Sequence, residues 1–255
     1  MGDDVGIRDL EWFDCNARIG RWSAPRPEQF TELKDLLAVY DSVGISGGLV
    51  HHSWAWEWSP ARGNERLLAE IGGNDHLRPC FVALPHATGE QPPPEELAAR
   101  VSELGGAVRI FPSMHQWRVS EWCAGKLFRA LEEHRVPLLL HIKESDWDAI
   151  AAMLAAHPRM PVIVLGVYYR VDRYLYPLWE QHENLYVEAN TYGVFRGIEP
   201  VCARFGPERF VFGTALPELE PGGPIARLTY AELPDEHKRL IAGGNLRRLL
   251  SGGRE

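Results

Sequence analysis

The chain contains no long uninterrupted apolar run, so nothing in it reads as a transmembrane helix. Its first residues, MGDDVGIRD, lack the hydrophobic stretch of a signal peptide. Positive charge is in deficit: 27 Lys and Arg stand against 35 Asp and Glu, a formal net charge of −8 at pH 7. That balance argues against a phosphate backbone or an anionic membrane as the main partner. Cysteine is scarce. Cys15, Cys80, Cys123 and Cys202 lie far apart, with no CxxC pair and no zinc-knuckle spacing, which points to reduced thiols and a cytoplasmic location. Low-complexity linkers are missing as well. The Pro-rich loop at 91–94 is too short to divide domains, and residues 1–255 read as a single domain.

What is present is apolar and aromatic. Of the 255 residues, 45% are hydrophobic, with nine Trp, eight Tyr and nine Phe, enough surface for one large core. Short apolar runs rich in β-branched and aromatic residues recur at 10–16, 45–51, 79–84, 107–111, 137–142, 162–166, 185–189 and 209–213. Helical periodicity fills the gaps. It is clearest at 121–134, where Trp122, Leu127, Phe128 and Leu131 can form a stripe. A second helix is expected at 27–43, stopped by Gly44, and a third at 146–156 with Ser145 and Asp148 as a capping box. Strands alternating with helices in this way predict parallel pairing through crossovers. Eight such units in a chain of this length predict an α/β fold, the closed (β/α)8 TIM barrel. A doubly wound open sheet is the alternative.

In such barrels chemistry sits at the C-terminal ends of the strands. Those ends are rich in polar side chains here. Strand alternation places Asp14, Asn16 and Arg18 of the first strand on one face, and Glu188, Asn190 and Tyr192 of the seventh likewise. The fifth strand ends at His141, the second at His51 and His52, and the fourth carries Arg109. The loops bearing Trp54, Trp56, Trp58 and Trp117 read either as a roof over a ligand pocket or as a homodimer contact. Expected catalytic groups are His141, Glu188 and Asp14. Expected substrate contacts are Arg18, Asn16, His52, Asn190, Tyr192 and Arg109. A satisfied polar plug is the competing reading of the same residues.

The order of these features resembles the amidohydrolase superfamily, in particular its branch of small amidohydrolase-related barrels. PERFVFGTALP at 207–217 looks like that branch's last strand, 241–250 like its closing helix, and 14–20 like its D-x-H-x-H-x-G segment. The resemblance implies a hydrolase with one or two divalent metals. Set on this chain, the two first-strand histidine positions hold Asn16 and Arg18. The fifth-strand histidine is His141, the sixth-strand position is Gly166, and the last-strand aspartate position is Ala215. Gly and Ala offer no lone pair, and a guanidinium about 4 Å from a divalent ion would be repelled by about 8 kcal/mol at an effective dielectric near 20. The expectation is therefore a hydrolase, or a lyase, with no cofactor. It would act on a small carboxylate or lactone by acid–base chemistry, with Arg18 clamping the anion where a metal once stood. Two alternatives stay open: a non-catalytic barrel that binds a ligand or partner, and a mononuclear metallohydrolase with a zinc site rebuilt from Asp14, His141 and Glu188.

Overall fold

Each apolar run becomes a strand, because β-branched residues pack well on a pleated surface and the helices between them supply the crossovers that parallel pairing needs. The computed structural model describes residues 10–252; residues 1–9, read above for a leader, lie outside them. The strands are β1 (Trp12–Ile19), β2 (Ile45–His52), β3 (Leu77–Val82), β4 (Ala107–Ile110), β5 (Leu138–His141), β6 (Val162–Leu165), β7 (Leu185–Glu188) and β8 (Phe210–Val211). They form one eight-stranded sheet in sequence order, every pair parallel. The ring closes where the Cys15 amide donates to the Phe212 carbonyl and the Arg18 amide to the Leu216 carbonyl, both at 2.9 Å. The (β/α)8 barrel expected from the sequence is thus the fold.

The helices are α1 (Leu33–Val43), α2 (Ser53–Glu57), α3 (Pro60–Ile71), α4 (Pro94–Glu103), α5 (Glu121–Glu133), α6 (Trp147–Ala156), α7 (Asp172–Gln181), α8 (Ile198–Phe205), α9 (Gly222–Thr229), α10 (Asp235–Arg239) and α11 (Asn245–Leu250). No helix among the described residues is long and apolar enough to cross a membrane. Two boundaries differ from expectation. The first helix begins at Leu33, since Pro25 and Pro27 resist helix and the Thr31 carbonyl is taken by the Gly20 amide at 2.7 Å. The cap of α6 is Asp146, whose side chain accepts the Ala149 amide at 2.8 Å, in place of Ser145.

Side chains divide into two layers. Facing the helices are Trp12, Val50, Phe81, Ile110, Leu140, Val164, Val187 and Phe210. Inside the barrel lies an apolar plug of Phe13, Cys15, Leu49, Cys80, Ala107, Leu139, Ile163, Leu165 and Val211. The plug forms the dry floor on which the polar mouth stands.

A β-bulge decides what the first strand presents. Asp14 pairs with Gly48 and Ala17 with Val50, so β1 carries one extra residue between them. The bulge shifts parity. Cys15 joins the interior plug, whereas Asp14 lies on the outer side against Tyr40 of α1. The expected trio of Asp14, Asn16 and Arg18 on one face is therefore corrected: Asn16 and Arg18 reach the mouth and Asp14 does not.

Candidate active site

Asp14 is fully buried and saturated. It accepts the Asn16 amide at 2.8 Å, the Thr214 amide at 2.9 Å, the Tyr40 hydroxyl at 2.9 Å and the Thr214 hydroxyl. Burial pushes its pKa up, and these four donors pull it back. The residue ties β1 to the segment after β8 and has no lone pair left for a substrate. Its place in the structure is that of a clasp.

Two further expected contacts lie away from the mouth, and a third spends its amide on the backbone. His52 faces outward and caps α2, its Nδ1 accepting the Trp54 amide at 3.0 Å, with Nε2 3.7 Å from Glu70. Tyr192 packs against Phe210 in the outer layer, and its hydroxyl donates to Asp172 at 2.8 Å. Asn190 commits its amide to the Thr214 carbonyl at 2.9 Å. The placement of Tyr192 follows from the chain leaving strand geometry after Glu188, so alternation no longer applies there.

The residues that do converge come from five strands. Asn16 stands at the centre of a relay. Its Nδ2 donates to Glu188 Oε1 at 2.9 Å, and its Oδ1 accepts from Arg109 Nη1 at 2.7 Å. The Gly166 amide lies 3.4 Å from Glu188 Oε2 as a further donor. His51 donates from Nδ1 to the Ala17 carbonyl at 3.0 Å and sits 3.4 Å from Arg109 Nη1. His141 accepts the Lys143 amide on Nδ1 at 3.1 Å, so its neutral ring carries the proton on Nε2.

Two glycines make this density feasible. A Cβ on Gly213 would stand 2.3 Å from Glu188 Oε1 and 2.9 Å from Cys15 Sγ. Gly166 has a φ of +72°, and a Cβ there would lie 2.2 Å from His141 Nε2. Only a residue without a side chain lets the β6 end approach His141 this closely.

Arg18 rises above the relay. Its guanidinium lies 3.8 Å from the Trp22 ring centroid and 4.9 Å from that of Trp56, and its Nη2 donates to Glu218. Trp22 is held there because Glu57 of α2 accepts the Ser23 amide at 2.8 Å and the Ser23 hydroxyl at 2.6 Å. Arg109 lies 4.9 Å from the Phe111 centroid. Of the tryptophan loop, Trp56 covers the mouth, while Trp54 and Trp58 stack on each other at 5.6 Å outside it. Trp22, Glu218, Phe111 and the inward orientation of His51 were not read from the sequence. Alternation from Leu49 would have found His51, and from Arg109 it would have found Phe111; Trp22 and Glu218 sit in loops, where no pattern points inward.

Electrostatics at the mouth are dominated by burial. Glu188, 1% exposed, is pushed up to about 7, with Asn16 and Arg109 pulling against its desolvation and Asp14 adding to it. His141 is held down to about 4 by desolvation, then by Arg109 and Lys143. His51 is driven well below its ordinary value by the same burial and by Arg109 and Arg18. Arg18 is lowered to about 9, first by burial and then by Arg109. Near neutrality the mouth thus holds two guanidiniums, two uncharged imidazoles and a carboxyl poised between its two forms. Arg18 Nη1 and Arg109 Nε are buried N–H groups with no partner among the described residues.

A divalent ion does not fit this donor set. The Asn16 oxygen points at Arg109, the His141 nitrogen facing the mouth bears a proton and abuts Gly166, and a permanent cation stands among them. Among the described residues no group of three or more His, Cys, Asp or Glu is placed to hold a metal.

Comparison with solved structures places the fold among known barrels. A TIM-barrel protein from Bordetella bronchiseptica is 17% identical with a TM-score of 0.73, covering 96% of this chain and 100% of its own. The 5-carboxyvanillate decarboxylase of Sphingomonas paucimobilis is 12% identical with a TM-score of 0.74, covering 94% and 99%. A dihydroxybenzoic acid decarboxylase from a Polaromonas species, solved with manganese and 2-nitroresorcinol, is 13% identical with a TM-score of 0.70, covering 96% and 98%. A search of curated sequences finds no match. The family model described as amidohydrolase matches residues 10–251, nearly the whole barrel, and the chain belongs to the amidohydrolase family.

Proposed function

We propose that this chain is an acid–base enzyme that binds a small aromatic carboxylate between Arg109 and Arg18 and moves a proton through Glu188, with no metal ion required. One observation carries the reading: two buried guanidiniums each keep an N–H without a partner among the described residues. Leaving such a donor unpaired costs about 1–3 kcal/mol, and more for a charged group. A carboxylate satisfies both at once and offsets their mutual repulsion. Trp22, Trp56 and Phe111 flank the two cations and supply aromatic walls.

Glu188, with a pKa near 7, is matched to proton transfer at neutral pH. The reaction these groups suit is loss of CO2 from an aromatic acid. The Glu188 proton goes to the ring carbon bearing the carboxylate, the bond from that carbon to the carboxylate breaks, and CO2 leaves. Glu188 then regains its proton from water. The His141 Nε2–H is available as a neutral donor to a substrate oxygen. Several proteins of similar fold are decarboxylases of aromatic acids, which supports this choice over the hydrolysis expected from the family.

A second reading, a barrel that binds a ligand without turning it over, is favoured by one feature. Arg18 is 3% exposed, paired with Glu218 and covered by tryptophans. A panel of hydroxybenzoates separates the two. The enzyme releases CO2, and Glu188→Gln abolishes release while leaving binding intact. Binding without release in the wild type establishes the second reading, and absence of both overturns the carboxylate site.

A further inference from the structure

We propose that Arg109 is a built-in cation that stands in for a metal ion at the centre of the mouth, one edge fixed by the protein and the other left for the substrate's acid group. This deepens the reading above and rests on it for the identity of the ligand.

The placement of Arg109 is central. Delivered by β4, it bonds Asn16 of β1, nears His51 of β2 and lies over Phe111. Its charge also reaches Cys80 of β3, His141 of β5 and Glu188 of β7. Only a group near the barrel axis can act on so many strands.

Its support resembles that of a bound ion. A metal ligand is oriented by a partner behind it. Here the Asn16 amide is oriented by Glu188, which takes Nδ2 and turns Oδ1 toward Nη1. Asn16 holds a position where the resemblance implies a histidine ligand, and its lone pair now serves a guanidinium. Neither Nε nor Nη2 of Arg109 donates to any described residue, and Nε is buried. That free edge presents two parallel N–H groups, the geometry that accepts a planar carboxylate in bidentate fashion. Unlike a metal, it cannot be exchanged or chelated, and it offers donors only. The ligand it selects is therefore an anionic acceptor.

The test uses the whole chain, with Mn2+ and benzoate as probes, and the variants Arg109→Met and Arg109→Lys. Wild-type protein is expected to bind no Mn2+ at the mouth by electron paramagnetic resonance. Arg109→Met is expected to weaken benzoate about 10- to 100-fold. Arg109→Lys, which keeps the charge and loses the planar edge, should fall between. The charge of Arg109 has its own readout in the protonation of Glu188. That carboxyl faces Asp14 from β1, Arg109 from β4 and the Gly166 amide from β6. Its midpoint, read from the infrared carboxyl band, should rise in Arg109→Met and hold near the wild-type value in Arg109→Lys.

One Mn2+ per chain, lost on His141→Ala, would overturn the proposal. So would unchanged benzoate affinity and an unchanged Glu188 midpoint in a folded Arg109→Met. Should Arg109→Met fail to fold, the Lys variant and the wild-type Mn2+ titration decide. None of the Mn2+ or infrared results depends on turnover. If no aromatic acid is consumed while they hold, the decarboxylase reading falls and the built-in cation stands.

Discussion

Replacing Glu188 by Gln isolates the buried carboxyl and gives a stability change that grows with pH. In the fold its pKa is raised from 4.5 to about 7, chiefly by desolvation. The unfolded chain therefore releases this proton first as pH rises. The contribution of Glu188 to native stability is greatest below pH about 4.5 and is lost as pH rises through about 7, where both states are ionised. The gap is worth about 3 kcal/mol. Gln has no proton to lose. Its Oε1 can still accept from Asn16, but its amide would face the Gly166 N–H, a pH-independent cost of about 1 kcal/mol. The variant should be slightly less stable than wild type in mild acid and clearly more stable above neutrality. Relative to wild type it gains about 3 kcal/mol across the range, or about 6–12 °C in melting temperature for a chain of this size. Denaturant melts at several pH values measure it, other titrations largely cancelling in the difference. A pH-independent difference would refute the assignment of a raised Glu188.

Other changes bear on the same site. Gly166→Ala forces a side chain onto a φ of +72° and against His141 Nε2, and should lower stability by at least about 2 kcal/mol in thermal melts. Tyr40→Phe removes one donor to Asp14 and should cost about 1 kcal/mol while leaving turnover unchanged. A large loss of turnover would return Asp14 to the chemistry. His141 has a lowered pKa, so the neutral ring contributes stability that is lost as pH falls from about 6.5 to about 4. His141→Asn should flatten that acid limb of the stability curve.

The barrel was legible because its signal is redundant. Eight apolar runs and the helices between them each point to the same architecture, and errors of a few residues at the ends, as at Leu33, do not disturb it. The site is less forgiving, since one residue of parity decides whether a side chain faces the mouth or the helices. The bulge between Asp14 and Ala17 has no sequence signature, and it removed Asp14 from the mouth while leaving Asn16 and Arg18 there. Past Glu188 the chain is no longer strand, and the same alternation misplaced Tyr192. Glu188 lies in a regular strand, where alternation holds and turns it toward Asn16. The sequence singled out Arg18 as the central cation. The structure brings Arg109 to the centre and pairs Arg18 with Glu218, a partner two hundred residues away that local pattern cannot reveal.

The most direct test of the account is CO2 release from hydroxybenzoates by protein whose metal content is measured by plasma mass spectrometry in the same sample. The account predicts release by protein essentially free of transition metal, unchanged by chelators and lost in Glu188→Gln. Release that tracks bound manganese or zinc and stops on chelation would contradict it.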